Sequence, residues 1–338
     1  MKAYVLEAVG KLEYKDVEMP KLQSGWVLLK VKAAGICSSD IPRIFTNGTY
    51  HFPTIPGHEF CGEVVKVFDK QDEELIGKRM GVFPLIPCKE CEYCKSGHYE
   101  MCKNYNYLGS RCDGGFAEYV AVPKWNLIEL PDNVSFVQAS VLEPLAVGYH
   151  AVSAADLTRV KTAAVIGTGA IGLFIAMILQ SKGIKVSLLG RNEEKRVLAD
   201  RCGVDNYINT TQEQSDVQYD LTFEAVGTNA SLLQAISKTK SGGQILLVGN
   251  PYSDMELKKD VYWQILRRQL TLIGTWNSMY ENGAESDWSN VLKLLSTGKV
   301  DTAKAITHIF AQDKLFDALD IMRGHNVPYG RIVVKFNE

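Results

Sequence analysis

Residues 162–183 read TAAVIGTGAIGLFIAMILQSKG, an apolar strand pattern that leads through three glycines into an apolar helix pattern. The first glycine permits a tight turn, the second lets the backbone approach a pyrophosphate, and the third allows close packing of helix on strand. The free N–H groups and positive dipole end of such a helix attract phosphate. Glycine turns alone are common, but here the required strand, turn and helix occur together. The segment predicts a dinucleotide-binding unit with contacts from Gly167, Gly169, Ala170, Ile171 and Gly172.

The chain changes character at about residue 148. Residues 1–147 are rich in glycine, proline and short β-type runs such as WVLLKVKAAGIC, which indicates an irregular β-rich domain. Between residues 148 and 280, apolar strands alternate with helical segments, the pattern of βαβ units around a parallel sheet. Residues 281–338 hold two helical stretches and a strand, and we expect them to rejoin the first domain. The predicted fold class is α/β, with a Rossmann-type doubly wound parallel sheet beside a discontinuous β-rich domain.

The charge and hydropathy of the chain exclude several classes of partner. Its 37 basic and 39 acidic side chains give a net charge of -2 without a basic stripe, so we expect no nucleic-acid partner. No apolar run approaches the roughly 18 residues that a membrane-spanning helix needs, so we expect no membrane partner. The segment MKAYVLEAVGKLEYKD carries acids where a signal peptide would be apolar, which predicts a cytoplasmic protein.

Four cysteines follow the spacing C-x2-C-x2-C-x7-C. Four thiolates at this spacing can converge on one tetrahedral ion, as they do in structural zinc sites. Disulfide pairing is a competing interpretation, but the intervening loops are tight and nothing in the sequence looks secretory. Iron–sulfur clusters also take four cysteines, usually at other spacings. We therefore predict a closed structural zinc site formed by Cys88, Cys91, Cys94 and Cys102.

The residues that follow the second predicted nucleotide-binding strand bear on the choice of cofactor. Enzymes that bind NAD place an acid there for the ribose 2′-hydroxyl, whereas this chain has Gly190 and then Arg191. Without that carboxylate a 2′-phosphate is not repelled, and Arg191, with Lys195 and Arg196 nearby, can bind it. The pattern favours NADP over NAD, although Arg191 is also explained as a solvated surface residue beside bound NAD. Further candidate cofactor-binding residues are Val226, Val248 and Thr275.

Three more segments place metal-ligand residues in loops: GICSSD at 35–40, GHE at 57–59 and LEP at 142–144. Singly they carry little information, because a lone histidine is usually a satisfied polar residue and a lone cysteine usually lies in a core. Their combination with a four-cysteine loop and a nucleotide-binding fold predicts a second metal site. Three protein ligands would leave that site one open position for substrate or water, as catalytic zinc requires.

Together these motifs resemble the zinc-dependent medium-chain dehydrogenase/reductase superfamily over essentially the whole chain, and DGGFAEY at 113–119 and LEPLAVGYHA at 142–151 extend the similarity. Within the superfamily the chain is most similar to the polyol dehydrogenase branch, and there to dehydrogenases of hexitol phosphates. The resemblance implies a GroES-like catalytic domain, two zinc ions per chain, NAD(P) as cofactor, and a homodimer or homotetramer. The apolar segment 269–274 is predicted at the edge of the parallel sheet, where two subunits would pair.

The resemblance also implies roles for individual residues. Cys37, His58 and Glu143 would hold the catalytic zinc, and Glu59 would be an alternate ligand or support one. The hydroxyl of Ser39, two residues beyond the metal cysteine, would relay the proton of the substrate hydroxyl.

Two positions depart from the superfamily pattern. Phe68 stands where a glycine usually follows the GHE motif, which suggests a rearranged turn. Ser38 follows the first zinc cysteine, where glycine is usual, and leaves Ser39 and Asp40 in place.

The substrate is the feature that the sequence specifies least. The resemblance favours a polyol phosphate, whose dianion needs Arg, Lys or N–H partners. Arg43, Arg111 and Lys124 would supply charge, and Tyr50 and Trp276 would supply apolar walls. Surface exposure of the cations and core packing of the aromatic residues explain the same sequence. The alternatives are a sorbitol, general polyol or threonine-type dehydrogenase and, in another class, a non-catalytic nucleotide-binding zinc protein. The intact set of predicted zinc ligands favours an enzyme.

Overall fold

The computed structural model describes residues 1–204, 206–213, 215–324 and 327–336. The β-strands, in chain order, are β1 (Lys2–Ala8), β2 (Lys11–Asp16), β3 (Trp26–Gly35), β4 (Glu59–Val67), β5 (Arg79–Val82), β6 (Leu85–Ile86), β7 (Asn106–Tyr107), β8 (Tyr119–Pro123), β9 (Leu127–Glu129), β10 (Thr162–Ile166), β11 (Lys185–Gly190), β12 (Asn206–Asn209), β13 (Tyr219–Glu224), β14 (Thr239–Leu247), β15 (Thr271–Gly274), β16 (Ile306–Ala311) and β17 (Arg331–Lys335).

The α-helices, in the same order, are α1 (Asp40–Phe45), α2 (Glu92–Lys95), α3 (Phe136–Ala139), α4 (Leu142–Ser153), α5 (Ala170–Ser181), α6 (Lys195–Arg201), α7 (Asn229–Lys238), α8 (Lys259–Arg268), α9 (Asp287–Ser296) and α10 (Leu315–Gly324). Short 3-10 helices span Lys70–Leu75, Tyr99–Met101, Lys124–Asn126, Thr302–Lys304 and Gln312–Lys314. Within the described ranges, no helix combines the length and the apolar character that crossing a bilayer demands.

The chain divides into two compact units. The first unit comprises Met1–Glu143, Met279–Thr297 and Ile306–Glu338, and the second comprises Pro144–Ser278 and Gly298–Ala305. The sequence placed the divisions at residues 147 and 281, within a few residues of these. Residues 298–305 lie in the second unit, whereas the sequence predicted them to belong to the first domain. The backbone carbonyl of Ala303 there accepts a hydrogen bond of 3.0 Å from Arg201.

The second unit contains the predicted parallel sheet. Its six strands lie in the order β12-β11-β10-β13-β14-β15, and every neighbouring pair is parallel. Counted from β10, this is the 3-2-1-4-5-6 order of the Rossmann fold. Helix α5 packs on β10 and β11, and α7 packs on β13, β10 and β14. The α/β fold class predicted from the alternation of strands and helices is confirmed.

The first unit is built around a seven-stranded sheet in the order β16-β17-β3-β4-β5-β9, with β8 also paired to β3. Gly35 at the end of β3 pairs with Glu59 of β4 on one side and with Val333 of β17 on the other. Strand β17 lies inside this sheet, so a strand that follows the Rossmann unit in the chain completes the sheet of the first unit. The core below the sheet is apolar and includes Val27 and Leu29 of β3.

An aromatic cluster anchors α9 in the first unit. Ser286 and Ser289 form a capping box that fixes the start of this helix. Trp288 in its first turn is 1% exposed and meets Phe83 and Tyr280 edge-on, at ring-centroid distances of 5.5 and 5.9 Å. The cap and the buried indole together explain why a short amphipathic segment forms a stable helix here.

Substitution of Trp288 by alanine should therefore destabilise the first unit by about 3–5 kcal/mol, because it leaves a cavity among aromatic rings. Trp276→Ala is the matched control: its side chain is 56% exposed, so we expect a change of at most about 0.5 kcal/mol. Urea unfolding followed by circular dichroism measures both. Equal effects of the two substitutions would contradict the assignment of Trp288 to a core.

Candidate active site and structural metal site

The four predicted cysteine ligands come together in the first unit. The sulfur atoms of Cys88, Cys91, Cys94 and Cys102 all lie within 4.8 Å of one another. The Sγ–Sγ distance is 3.4 Å between Cys88 and Cys102 and 4.0 Å for two further pairs. Four sulfurs bound to zinc at about 2.3 Å would be about 3.8 Å apart in a tetrahedron. The loop therefore has the size and the donor set of a tetrahedral thiolate site.

The protonation of these thiols is tuned by the loop itself. Backbone N–H groups of the loop donate hydrogen bonds to Cys88 and Cys91 and lower the pKa of both, that of Cys91 to about 6. Burial raises the pKa of Cys94 and Cys102. A bound cation would offset that burial penalty, because the thiolate is the form that ligates metal.

A second group of potential ligands consists of Cys37, His58 and Glu59, whose donor atoms also lie within 4.8 Å of one another. Cys37 lies just beyond β3, and Glu59 opens β4. The antiparallel pairing of these strands brings the two loops together. Burial opposes ionisation of Cys37, but the charge and hydrogen bond of His58 outweigh it and lower the pKa of the thiol to about 6. Burial likewise opposes the cationic form of His58, but Asp40 and Cys37 raise its pKa to about 10.

Helix α1 supplies the polar groups around this second group. Asp40 is fully buried, and its Oδ1 lies 3.3 Å from Nδ1 of His58 while its Oδ2 accepts a hydrogen bond from the Cys37 backbone N–H. An acid beside one ring nitrogen orients an imidazole for metal binding through the other. Arg43 donates to the Ser39 hydroxyl at 2.9 Å and lies 3.2 Å from Nδ1 of His58. Ser39 in turn donates to the Cys37 sulfur at 3.2 Å.

Glu143, the third ligand implied by the resemblance, is nearby but stands outside the 4.8 Å group. It lies in the first turn of α4, and its Oε1 accepts a hydrogen bond of 3.2 Å from the Tyr107 hydroxyl. Burial raises the pKa of Glu143 to about 7, with Cys37 acting in the same direction and His58 against it. The structure thus places Glu59, rather than Glu143, next to Cys37 and His58.

Glu59 is held by a buried ion pair with Arg331 of β17. The two residues are 1% and 5% exposed. Gly35 makes room for the pair, because a Cβ there would lie 2.6 Å from Glu59 Oε2 and 2.9 Å from Arg331 Nη2. The other carboxylate oxygen, Oε1, is buried and has no hydrogen-bond partner among the residues the structure describes.

The donor set of the second group fits a zinc ion. Zinc takes cysteine, histidine and acidic ligands, and its catalytic sites use three of them. Glu59 has one carboxylate oxygen within 4.8 Å of the Cys37 and His58 donor atoms, and its buried Oε1 lacks a hydrogen-bond partner among the described residues, which is the kind of polar atom that a cation satisfies. Asp40 supplies the outer support that metal-binding histidines commonly have.

The predicted cofactor residues of the second unit share one edge of the parallel sheet. Gly167, Val226, Val248 and Thr275 follow the carboxyl ends of β10, β13, β14 and β15, and Gly190 ends β11. Ligands of doubly wound sheets bind at this edge.

The glycine turn has the conformation that the motif requires. Gly167 adopts a φ of 111°, and a Cβ at Gly172 would overlap the Gly167 carbonyl oxygen. Gly169 caps α5 and has open space at its Cα, with Ala170 and Ile171 following in the first turn of the helix. The N-terminus of α5 is therefore accessible to a phosphate group.

The basic residues after β11 differ in whether their side chains are already engaged within the protein. Arg191 is exposed and pairs with no acidic residue in the described ranges. Arg196, in contrast, is engaged by Glu193, by Glu213 at 3.0 Å and by the Tyr207 carbonyl at 2.8 Å. Burial lowers the pKa of Lys195. Of the predicted cations, Arg191 alone is free to meet a cofactor.

Position 190 cannot carry the acid that NAD enzymes use. A Cβ at Gly190 would lie 2.6 Å from the Thr168 methyl carbon and would overlap the Tyr207 hydroxyl. The same hydroxyl donates to the Asn192 carbonyl at 2.5 Å, which fixes the turn.

The predicted substrate residues fall in different places. Arg43 contacts the second metal-ligand group through His58. Arg111, in contrast, lies 4.2 Å from the centroid of the exposed Tyr50 ring. Trp276 is exposed in the second unit. Lys124, another basic candidate in the first unit, is held by Asp72 at 2.8 Å.

Three residues of the site were not assigned a role from the sequence. Asp40 had a local signal, because it follows Cys37 by three residues and begins a helix. Tyr107 and Arg331 had none, since each reaches the site through long-range packing.

Both units contain residues that match known protein families. Residues 23–132 match the alcohol dehydrogenase GroES-like domain, and residues 170–297 match the zinc-binding dehydrogenase family.

Individual proteins align over nearly the whole chain. Galactitol 1-phosphate 5-dehydrogenase of Escherichia coli (strain K12) is 31% identical, over 91% of this chain and 92% of that protein. Sorbitol dehydrogenase of Bacillus subtilis (strain 168) is 28% identical, over 95% and 93%. L-threonine 3-dehydrogenase of Serratia proteamaculans (strain 568) is 27% identical, over 98% and 100%.

Solved structures of dehydrogenases share the fold of this chain. A galactitol-1-phosphate dehydrogenase from Escherichia coli superposes with a TM-score of 0.89 at 29% identity, over 99% of this chain and 100% of that one. A short chain alcohol dehydrogenase from Escherichia coli CFT073, complexed with NADH, gives 0.91 at 26% identity, over 99% of each chain. A putative zinc-binding dehydrogenase from Sinorhizobium meliloti 1021, bound to NADP, gives 0.87 at 27%, over 99% and 98%.

These matches confirm the superfamily inferred from the motifs and overturn the alternative of a non-catalytic nucleotide-binding protein. The chain therefore belongs to the zinc-binding alcohol dehydrogenase family and is an oxidoreductase that acts on CH–OH groups.

Proposed function

We propose that the chain oxidises a secondary alcohol of a polyol phosphate, of the galactitol 1-phosphate type, and transfers the hydride to NADP or NAD. The observation that carries the chemistry is the Cys37, His58 and Glu59 group with the Ser39 hydroxyl bonded to its thiol. The substrate class rests on the similarity to galactitol 1-phosphate 5-dehydrogenase, to which the chain is 31% identical. Sorbitol and threonine dehydrogenases are also similar, so these substrates are the alternatives.

In the proposed site, Cys37, His58 and either Glu59 or Glu143 hold the catalytic zinc. A bound zinc ion would supply Lewis-acid chemistry to the substrate hydroxyl, and a bound nicotinamide would accept the hydride from the carbinol carbon. Asp40 keeps the His58 ring oriented through its contact with Nδ1. Glu59 and Glu143 could then alternate as the acidic ligand beside Cys37 and His58. The buried Oε1 of Glu59, which has no partner among the described residues, is consistent with such an exchange.

Ser39 is the proposed proton relay. Its hydroxyl accepts a hydrogen bond from Arg43 and donates one to the Cys37 sulfur, so it is fixed at the edge of the ligand group. A hydroxyl in this position can take the proton from the substrate alcohol while releasing its own to solvent water, so the Cys37 sulfur remains a thiolate ligand. The hydrogen bond from Arg43 disfavours rotation of the Ser39 hydroxyl out of the site.

The cofactor edge supports NADP more than NAD. Arg191 is unpaired, and the crowding at Gly190 leaves no room for a carboxylate against the ribose. Similar structures contain NADH in one case and NADP in another, so both nucleotides fit this fold.

We also propose that the chain forms a dimer or tetramer through the sheet edge of the second unit. Strand β15 ends the six-stranded sheet and is largely exposed. The neighbouring helix α8 has no buried residue, and Tyr262, Trp263 and Leu266 on it are 52%, 43% and 54% exposed. An apolar surface of this kind beside an open strand edge favours pairing with a second copy.

The first test concerns the metals. Each of the two ligand groups should bind one zinc ion. Cys37→Ser should remove the ion of the catalytic group and abolish turnover, because it takes away a thiolate ligand. Metal analysis by mass spectrometry should then find half of the wild-type zinc.

Cys61→Ser is the matched control, because Cys61 is buried but belongs to neither group. It should keep the full zinc content. Full activity in Cys37→Ser would contradict the assignment of the open site.

The second test concerns the cofactor. Arg191→Ala should weaken the binding of NADP roughly ten- to a hundredfold, the usual value of a hydrogen bond to a charged group, and leave NAD nearly unchanged. Arg196→Ala should weaken both nucleotides alike, because that guanidinium holds the loop together. Calorimetric titration with each nucleotide measures these constants. An equal effect of Arg191→Ala on both would sink the 2′-phosphate assignment.

The third test concerns the substrate. The wild-type enzyme should oxidise galactitol 1-phosphate with a kcat/KM roughly ten- to a hundredfold above that for free galactitol, because a bound phosphate orients the reacting carbinol. A panel that also contains sorbitol and L-threonine, with NAD and NADP, is read by the absorbance of the reduced nicotinamide. Comparable efficiency on the free polyols would make the enzyme a general polyol dehydrogenase.

A further inference from the structure

We infer that the guanidinium of Arg111, held between two tyrosine rings, binds the phosphate of the substrate. This inference rests on the proposed function, since it assigns a site to the phosphate of a polyol phosphate. Three observations carry it: the stacking of Arg111, its lack of an acidic partner, and the attachment of its loop to the metal-ligand segment.

The stacking holds the guanidinium in place before any ligand arrives. The Cζ atom of Arg111 lies 4.2 Å from the ring centroid of Tyr50 and 4.4 Å from that of Tyr105. Its Nη1 donates to the Tyr105 carbonyl at 3.2 Å. A guanidinium packed on aromatic rings presents its remaining N–H donors at its edge, and those donors match the oxygens of a phosphate. Because the side chain is already ordered, little entropy is lost when an anion binds.

The charge of Arg111 is not compensated within the protein. In the described part of the chain it forms no ion pair with an acidic residue, whereas Arg43 lies 3.6 Å from Asp40 and Lys124 lies 2.8 Å from Asp72. Arg43 also donates to Ser39 and contacts the His58 ring, so its donors serve the metal-ligand group. Among these three candidates in the first unit, Arg111 is the cation that is left for an external dianion.

The loop that carries Arg111 is tied to the proposed zinc ligands. Arg111 lies in a turn whose backbone N–H groups converge on the Tyr107 carbonyl, the one from Arg111 at 2.9 Å. The hydroxyl of the same Tyr107 donates to Glu143, and its ring lies 5.8 Å from that of His58. One residue therefore joins the phosphate-binding turn to both Glu143 and His58.

The backbone reinforces this connection. Gly114 and Gly115 donate hydrogen bonds of 2.8 Å to the carbonyls of Ile55 and Gly57, directly before His58. Gly109 and Gly114 pack so closely on Gly57 that a Cβ at either would overlap its backbone. The ring of His51 also contacts this turn, with its Nε2 lying 3.1 Å from the Arg111 carbonyl oxygen. Main-chain contacts thus hold the turn that carries Arg111 against the segment that ends at His58, while the two tyrosine rings hold the guanidinium itself.

Arg111→Ala should lower kcat/KM for galactitol 1-phosphate about ten- to a hundredfold and change that for free galactitol less than twofold. Arg111→Lys keeps the charge but loses the planar fork and the stacking, so we expect an intermediate loss. Arg159→Ala removes an exposed arginine of the second unit and should change neither value. Calorimetric titration of the zinc-loaded enzyme with galactitol 1-phosphate should show the same order of affinities without turnover.

The outcomes separate this inference from the proposed function. If the wild type prefers the phosphate ester and Arg111→Ala lowers both substrates equally, the phosphate site is overturned while the function stands. If the wild type shows no preference for the ester, the polyol-phosphate function fails and the inference fails with it. Thermal unfolding checks that the alanine variant is folded. Should it not be, the lysine variant decides, and an unchanged ester preference in it overturns the inference.

Discussion

The buried ion pair between Arg331 and Glu59 is the interaction on which the arrangement of the metal-ligand group depends. It links β17 and β4 across Gly35 of β3, the strand that lies between them. Removing one member of such a pair leaves an unpaired charge in the interior, which costs about 3–5 kcal/mol. The pair therefore fixes the register of three neighbouring strands. It also holds the Glu59 carboxylate within 4.8 Å of the Cys37 and His58 donor atoms.

Alternating charges surround this pair. The Cys37 thiol and the Asp40 carboxyl both interact with the His58 ring, and Arg43 lies beside Asp40 and Ser39. Each buried charge has an opposite charge within a few ångströms, which is the condition under which ionised groups survive in an interior. The donor atoms consequently need little rearrangement to accept a cation.

The parts of the molecule that could be predicted are those whose geometry depends on residues close together in the sequence. The spacing of the four cysteines and the glycines around Gly169 prescribe local geometry, so both the cysteine loop and the nucleotide turn were identified. The site around Cys37 was predicted from three separate segments taken together, and its individual ligands were assigned only through the resemblance. No pattern pointed to Arg331, which lies 272 positions from Glu59. Nor could spacing show that Glu59, and not Glu143, forms one close group with Cys37 and His58, because Glu143 is held by a hydrogen bond from the distant Tyr107.

The position of β17 has a consequence for how the protein is made. This strand lies inside the sheet of the first unit, between β16 and β3, although it is synthesised after the entire Rossmann unit. Until residue 331 leaves the ribosome, Glu59 lacks its partner and the sheet lacks an inner strand. The cysteines of the other site all lie between residues 88 and 102, so that loop can capture its ion early in translation. Of the two proposed metal sites, the cysteine loop would thus be complete first, and the group around Cys37 only near the end of synthesis.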